Sequence, residues 1–222
     1  MKTVARIHSD FATKFGVPRQ SGLVESLEAL VVFEPEYRNP AALRGLEGFS
    51  HLWLVWVFDQ AVRQGTWSPT VRPPRLGGNA RLGVFATRSP FRPNPVALSA
   101  VALAGIEETR EWGTVLRVRG ADLMDGTPIL DVKPYLPYAD CRPEAVGGFA
   151  AAPAGETLSV ELPESLLEKI PPDRREALRA VLALDPRPRY QEDPKRVYGF
   201  GFAGLEVRFT VEGDTLRVVE IL

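Results

Sequence analysis

A single cysteine, two histidines and no long hydrophobic stretch limit what this 222-residue chain can be before any motif is read. With Cys141 alone there is no intrachain disulfide, and with only His8 and His51 there is no Cys/His cluster of the kind that holds zinc, so a metal centre is not expected. The longest apolar run, Leu52 to Phe58, is far short of the roughly 20 residues that cross a bilayer, and no membrane span is expected. The opening residues Met1-Lys2-Thr3-Val4-Ala5-Arg6-Ile7-His8 lack the apolar core of a secretory signal, which points to the cytoplasm. No G-x-G-x-x-G follows a first strand, and neither a Walker A lysine loop nor a G-x-S-x-G elbow occurs. A Rossmann-type enzyme, an NTPase and a serine hydrolase of that kind are therefore disfavoured.

Charge of either sign is also scarce as a net quantity. Lysines and arginines number 27 against 28 acids, a formal charge of −1, so the whole molecule has no long-range pull on phosphate. Distribution differs from balance. Arginines gather at Arg72, Arg75, Arg81, Arg88 and Arg92, then at Arg187, Arg189 and Arg196. Their planar forks suit phosphates, carboxylates and base edges, and equally suit a solvated surface.

What is present reads as β-structure up to about residue 140. Short apolar or alternating segments, Val4 to Ile7, Gly22 to Phe33, Leu52 to Phe58, Leu82 to Ala86, Leu98 to Ile106, Thr114 to Gly120 and Ile129 to Lys133, are separated by Gly and Pro. Many short strands with few helical windows predict a barrel or sandwich. One helical turn or short helix is expected near Pro40 to Leu46, capped by Asn39 with Pro40 at the first helical position. The Ala/Gly/Pro-rich stretch 143–162 reads as a linker that ends in a short strand, Thr157 to Leu162. Asp173 and Glu176 have capping-box spacing ahead of Leu178, Val181 and Leu182, which predicts an amphipathic helix. Strands are then expected over Val197 to Ala203, Leu205 to Val211 and Thr215 to Ile221, the last two joined by a hairpin at Glu212-Gly213-Asp214. The domain reading is a β-domain over 1–142, a connection over 143–162 and a small α+β unit over 163–222.

Three loops carry the chemistry. The first is the dense Arg/Pro/Gly region from Val71 to Arg81 and from Phe85 to Pro95. Prolines remove donors and arginines need partners, so it is poor core material, whereas Pro90, Pro93 and Pro95 fix the chain and hold Arg88 and Arg92 in set directions. It predicts a preorganised anion or nucleotide site, or else a rigid corner whose arginines meet nearby carboxylates. The second is Asp122 to Tyr135, where Asp125-Gly126-Thr127 reads as a turn and Asp131 and Lys133 share one strand face, opposite Leu130 and Val132. The third is Gly16-Val17-Pro18-Arg19-Gln20-Ser21-Gly22, a Gly/Pro-bracketed loop with an arginine and an amide. His51, at the head of an apolar run, reads more readily as a hydrogen-bonded structural histidine than as a catalytic one.

Pro18-Arg19-Gln20, Phe49-Ser50-His51-Leu52-Trp53, Arg72-Pro73-Pro74-Arg75-Leu76-Gly77-Gly78, Gly83 to Pro90, Arg92-Pro93-Asn94-Pro95, Asp125-Gly126-Thr127-Pro128 and Asp131 to Tyr135, in that order, resemble the TsaA-like family over about residues 2–140. Asp185-Pro186-Arg187-Pro188-Arg189-Tyr190 resembles the C-terminal domain of its bacterial members. That resemblance implies a mainly β protein: a single-sheeted β-barrel that binds S-adenosylmethionine, followed by a small α+β C-terminal domain. It implies a homodimer that methylates N6 of threonylcarbamoyladenosine at position 37 of threonine tRNA. The implied cofactor contacts are Pro18, Arg19, Gln20, Arg88, Leu98, Asp125, Gly126, Thr127 and Pro128, joined by His51, Asp59 and Gln60.

Asp131 is the expected acceptor for the N6 proton, with Lys133 and Tyr135 orienting the substrate, although positioning alone is an alternative source of acceleration. Arg72, Arg75, Arg92, Arg187, Arg189 and Tyr190 are the expected contacts to the anticodon arm of tRNA. Two other classes remain open at this stage: a non-catalytic module that binds S-adenosylmethionine and regulates a partner, and a plain RNA-binding protein.

Overall fold

The computed structural model describes residues 1–61, 67–76, 79–151, 157–187, 193 and 195–222, excluding the side chains of Ala61 and Arg75. In chain order the strands are β1 (Ala5–His8), β2 (Glu28–Phe33), β3 (His51–Val57), the two-residue β4 (Thr70–Val71) and β5 (Leu82–Gly83), β6 (Val96–Thr109), β7 (Gly113–Arg119) and β8 (Pro128–Pro134). The C-terminal strands are β9 (Ser159–Glu161), β10 (Tyr198–Phe202), β11 (Leu205–Glu212) and β12 (Thr215–Ile221). The α-helices are α1 (Pro137–Asp140), α2 (Glu164–Leu167) and α3 (Arg175–Ala183).

Six strands close into a barrel in the order β1-β2-β7-β6-β3-β8. Strand β6 makes this possible by its length: Val96 to Ala102 pairs with β3, and Ala102 to Thr109 pairs with β7, with a register shift between Leu103 and Gly105 that bends it from one neighbour to the next. Alternation fills the interior. Leu52, Leu54 and Trp56 of β3 are buried, as are Val101, Leu116, Val118, Ile7, Val31 and Ile129, each worth about 1.5–3 kcal/mol relative to exposure. Every neighbour in the ring is antiparallel, so β1, β3 and β7 run the same way. The connections that leave them, 9–27, 58–95 and 120–127, therefore emerge at one end of the barrel.

Strand boundaries moved where turn chemistry overrides β-propensity. The expected strand from Gly22 begins only at Glu28, because Gly22 adopts φ +78° and its N–H bonds to the Gly120 carbonyl at 2.9 Å. The expected strand Leu82 to Ala86 turns after Gly83 into a 3-10 turn over Val84–Ala86. On β8, Asp131 lies opposite Val55 while Ile129 lies opposite Trp56, so Leu130 is an extra residue in a bulge. The bulge changes the expected faces: Asp131 and Lys133 do point outward together, but the buried residue preceding them is Ile129 rather than Leu130. Asn39 caps as expected, its side chain accepting from Ala41 N at 3.0 Å, and what it starts is the single-turn alternative, a 3-10 turn over Pro40–Leu43.

The C-terminal unit is a four-stranded sheet in the order β10-β11-β12-β9. Strand β9 falls within the short strand expected over Thr157 to Leu162 and pairs in parallel with β12, which joins the end of that connection to the C-terminal sheet. Helix α3 buries Ala177, Leu178, Val181 and Leu182. Its capping box does not form: a 3-10 turn over Pro172–Arg174 precedes α3, and the Asp173 carboxylate instead meets Arg174 at 3.0 Å. Gly199, Gly201 and Gly204 spell G-x-G-x-x-G, yet they lie on β10 and the turn into β11, with no helix after them. It is a hairpin and not a phosphate loop.

The two units share the 9–27 connection. Phe11, Val24 and Leu27 belong to the core cluster of the C-terminal sheet, and Phe15 and Val17 pack against it. Gly16, at φ +92°, sits so close to Phe200 that a Cβ there would lie 2.3 Å from the ring. Ala203 N donates to the Asp10 carbonyl at 3.0 Å, and Arg174 Nε pairs with the half-buried Asp10 carboxylate at 3.0 Å.

Candidate functional site

Two of the three expected loops meet directly at the open end of the barrel. The Arg88 guanidinium donates to the Gln20 side-chain oxygen, and the Gln20 amide donates to the Arg19 carbonyl. Pro18 beside them is buried, while Arg19, Gln20 and Arg88 are exposed. The prolines and the β-domain thus place a cationic fork and an amide on the surface of a fixed loop.

Beneath this contact lies Asp122, which the sequence reading did not single out. Its carboxylate accepts from the Ser99 hydroxyl, which in turn accepts from Trp56 Nε1 at 2.9 Å. Burial pushes the Asp122 carboxyl above the usual range, and the Ser99 hydroxyl, its own backbone, the Arg88 charge and the Ser21 backbone oppose that rise. The groups converging on it come from the connections 9–27, 58–95 and 120–127 and from β6. A polar residue between Ala121 and Leu123, both buried, was the only signal that the sequence offered.

The turn from Asp125 to Pro128 is committed to strand pairing. Gly126 N donates to the Ile7 carbonyl at 2.8 Å, Arg6 donates to the Gly126 carbonyl at 2.9 Å, and Ile7 N donates to the Thr127 carbonyl at 3.2 Å. The Asp125 carboxylate accepts from Ser9 N at 3.1 Å and lies 3.6 Å from His8 Nδ1, leaving it half open to solvent. Thr127 is buried and Pro128 opens β8. Asp59 and Gln60 are exposed in a 3-10 turn just past β3, at the same end.

The remaining residues line the outer face of β6, β3 and β8. Leu98, Val55 and Asp131 stand abreast, followed by Ala100, Trp53 and Lys133, and then by Ala102 and His51. Adjacent strands are about 4.8 Å apart, so Leu98 and Asp131 are separated by roughly two such spacings. Asp131 pairs with Lys133 at 2.8 Å. Tyr135 packs 5.5 Å from Trp53 and 6.2 Å from His51, ring centre to ring centre. The Asp140 carboxylate receives Trp53 Nε1 at 2.9 Å and Leu136 N at 2.8 Å, bonds that hold its carboxyl below the usual range. His51 sits at the far end of β3 from Asp59, so it groups with Tyr135 and not with the Gln20–Arg88 contact. Its Nδ1 lies 3.0 Å from Ser50 Oγ.

Of the expected RNA contacts, Arg72 is exposed and Arg92 is half-buried, donating to the Thr87 carbonyl at 3.2 Å. Arg187 forms a two-point pair with Asp185 at 2.8 and 3.0 Å, so much of its charge is answered within the chain. Arg189 and Tyr190 lie outside the described residues, as does the Arg75 side chain. Among the described residues no group of three or more His, Cys, Asp or Glu is placed to hold a metal ion, and no helix is long and apolar enough to cross a membrane.

The fold is thus a closed six-stranded β-barrel whose loops join an arginine fork, an amide and a buried carboxylate at one end, carrying a small α+β unit. Comparison with known proteins makes the class specific. Residues 6–141 match the tRNA-methyltransferase O N-terminal domain, and residues 156–222 match the C-terminal domain of the same family. A tRNA (adenine(37)-N6)-methyltransferase of Escherichia coli K12 is 46% identical over 213 residues, covering 92% of this chain and 90% of that one. A putative S-adenosylmethionine-dependent methyltransferase of Pseudomonas aeruginosa is 40% identical over 227 residues, covering 98% and 95%. The crystal structure of TrmO from P. aeruginosa superposes with a TM-score of 0.80 at 32% identity, covering 100% of this chain and 96% of that one. The chain belongs to the tRNA-methyltransferase O family and is an enzyme of it.

Proposed function

We propose that the chain transfers a methyl group from S-adenosylmethionine to N6 of threonylcarbamoyladenosine at position 37 of threonine tRNA, working in the cytoplasm as a homodimer. The observation that carries this reading is the match of both domains, in order and over nearly the whole chain, to an enzyme named for methylation at that adenine.

The donor set fits the cofactor. S-adenosylmethionine carries a carboxylate, an ammonium, a sulfonium and an adenine, and when bound it supplies an electrophilic methyl group. Arg88 and the Gln20 amide suit its carboxylate, Asp125 and nearby backbone carbonyls suit its cationic groups, and the exposed Leu98 suits its apolar surface. Pro18, Arg19, Asp59, Gln60 and the Gly126–Pro128 turn frame that end of the barrel. His51 lies with the substrate-side residues.

On the substrate side, N6 of a carbamoylated adenine is a weak nucleophile while it keeps its proton. Asp131 is the acceptor for that proton, and Lys133 holds Asp131 in place and faces the carboxylate of the threonyl group. Tyr135, braced by Trp53 and His51, orients the base. Arg72, Arg75 and Arg92 hold the anticodon arm from the barrel, with Arg187, Arg189 and Tyr190 from the C-terminal unit.

The test is incubation of the purified protein with cofactor labelled in its methyl group and threonine tRNA that already bears the threonylcarbamoyl group, followed by nucleoside analysis. Label in the modified adenosine, and none in tRNA lacking the threonylcarbamoyl group, is the expected result. Tight cofactor binding without transfer would instead indicate a regulatory module, and RNA binding without cofactor affinity a plain RNA-binding protein.

A further inference from the structure

We propose that Trp67 and Phe85 form a stacking platform for an unpaired base of the RNA substrate, with Arg92 beneath it and neighbouring arginines on the adjoining phosphates. This rests on the reading of the chain as a tRNA-modifying enzyme and adds a site for which the arginines alone give no reason.

The platform is built. Strands β4 and β5 pair through Thr70 with Gly83 and Val71 with Leu82, and Val84 N donates to the Pro69 carbonyl at 2.9 Å. This ribbon sets Trp67, just before β4, beside Phe85, just after β5, with ring centres 6.0 Å apart at 39°. The Arg92 guanidinium lies 5.9 Å from the Phe85 ring centre and is pinned by its bond to the Thr87 carbonyl. Both rings face water: Phe85 is 70% and Trp67 51% exposed. Paired rings held open by a hydrogen-bonded ribbon are a surface for contact, unlike an isolated apolar residue.

Charge selects the occupant. Residues 60–106 contain Arg63, Arg72, Arg75, Arg81, Arg88 and Arg92 and no aspartate or glutamate, within a protein whose net charge is −1. A second copy of the chain docked symmetrically on this ribbon would set Arg72 and Arg81, which flank its two strands, and Arg92 against their own counterparts. A polyanion with unpaired bases meets both features: its phosphates answer the guanidinium groups, and its bases present faces to the rings.

The experiment uses the full-length protein, Trp67→Ala, Phe85→Ala and Phe85→Tyr, with a threonine-tRNA anticodon stem-loop as probe. Each alanine variant is expected to weaken stem-loop binding about five- to hundredfold, while Phe85→Tyr stays near wild type and calorimetric affinity for S-adenosylmethionine is unchanged. Trp67 fluorescence is expected to be quenched by the stem-loop, a signal absent in Trp67→Phe. Wild-type binding with no loss in the alanine variants overturns the platform and leaves the methyltransferase reading standing. A change of oligomeric state on sedimentation also overturns it, by assigning the rings to a contact between copies. Failure of the wild-type protein to bind or methylate tRNA overturns the underlying reading itself.

Discussion

Asp122 illustrates how a single side chain links several loops. Its carboxyl is raised chiefly by burial, so the folded state binds a proton more tightly than the unfolded chain does. That contribution to stability is complete below the ordinary carboxylate pKa and is lost as pH rises through the raised folded value. Asp122→Asn keeps an acceptor for Ser99 and removes the titration, so the fall in melting temperature across that window is expected to flatten, as thermal scans at stepped pH would measure. The same variant removes the negative charge facing Arg88 and is expected to alter cofactor affinity. Trp56→Phe loses the indole N–H that Ser99 accepts and is expected to cost about 1 kcal/mol or slightly more, measured by urea unfolding. Neither role was legible in the sequence, because Asp122 looks like any acid beside a turn until β6 brings Ser99 to it from 23 residues upstream. Arg88 and Gln20, by contrast, were readable: prolines and glycines around an exposed polar group signal a fixed loop wherever the chain goes.

At the scale of elements, β-structure was legible and its interruptions were not. Alternation located β3, β6, β7 and β12, since a half-buried strand writes its pleat into the sequence. The bulge at Leu130 left no such mark, because apolar residues at 129, 130 and 132 are compatible with either register. Likewise the Asp173–Glu176 spacing satisfied a capping pattern that Arg174 overrides by drawing Asp173 aside. Gly16 offers a test of the 9–27 connection. An alanine there would adopt an unfavourable positive φ and press its Cβ into Phe200, and Gly16→Ala is expected to destabilise the protein by about 1–3 kcal/mol in chemical denaturation. If the melting profile is unchanged, the close approach of that connection to β10 is not what anchors it.

For the molecule as a whole, the junction between barrel and C-terminal sheet is an ion-paired contact over a shared apolar core. Arg174 reaches Asp10 at 3.0 Å and Glu28 at 4.0 Å. Burial raises the Asp10 carboxyl and the Arg174 charge opposes that rise, so Arg174→Met would leave Asp10 half-buried without its cation. A loss of about 1–3 kcal/mol is expected, together with easier proteolysis between the units. A truncation at Pro163 would likewise uncover Phe11, Val24 and Leu27, which makes removal of the C-terminal unit a poor way to isolate its contribution to RNA binding.

The connection from Ser9 to Leu27 has Gln20 at one bend and its aromatic and aliphatic side chains seated in the opposite unit. Any factor by which a molecule held near Gln20 changed the grip of the C-terminal unit on a second one would be returned in equal measure.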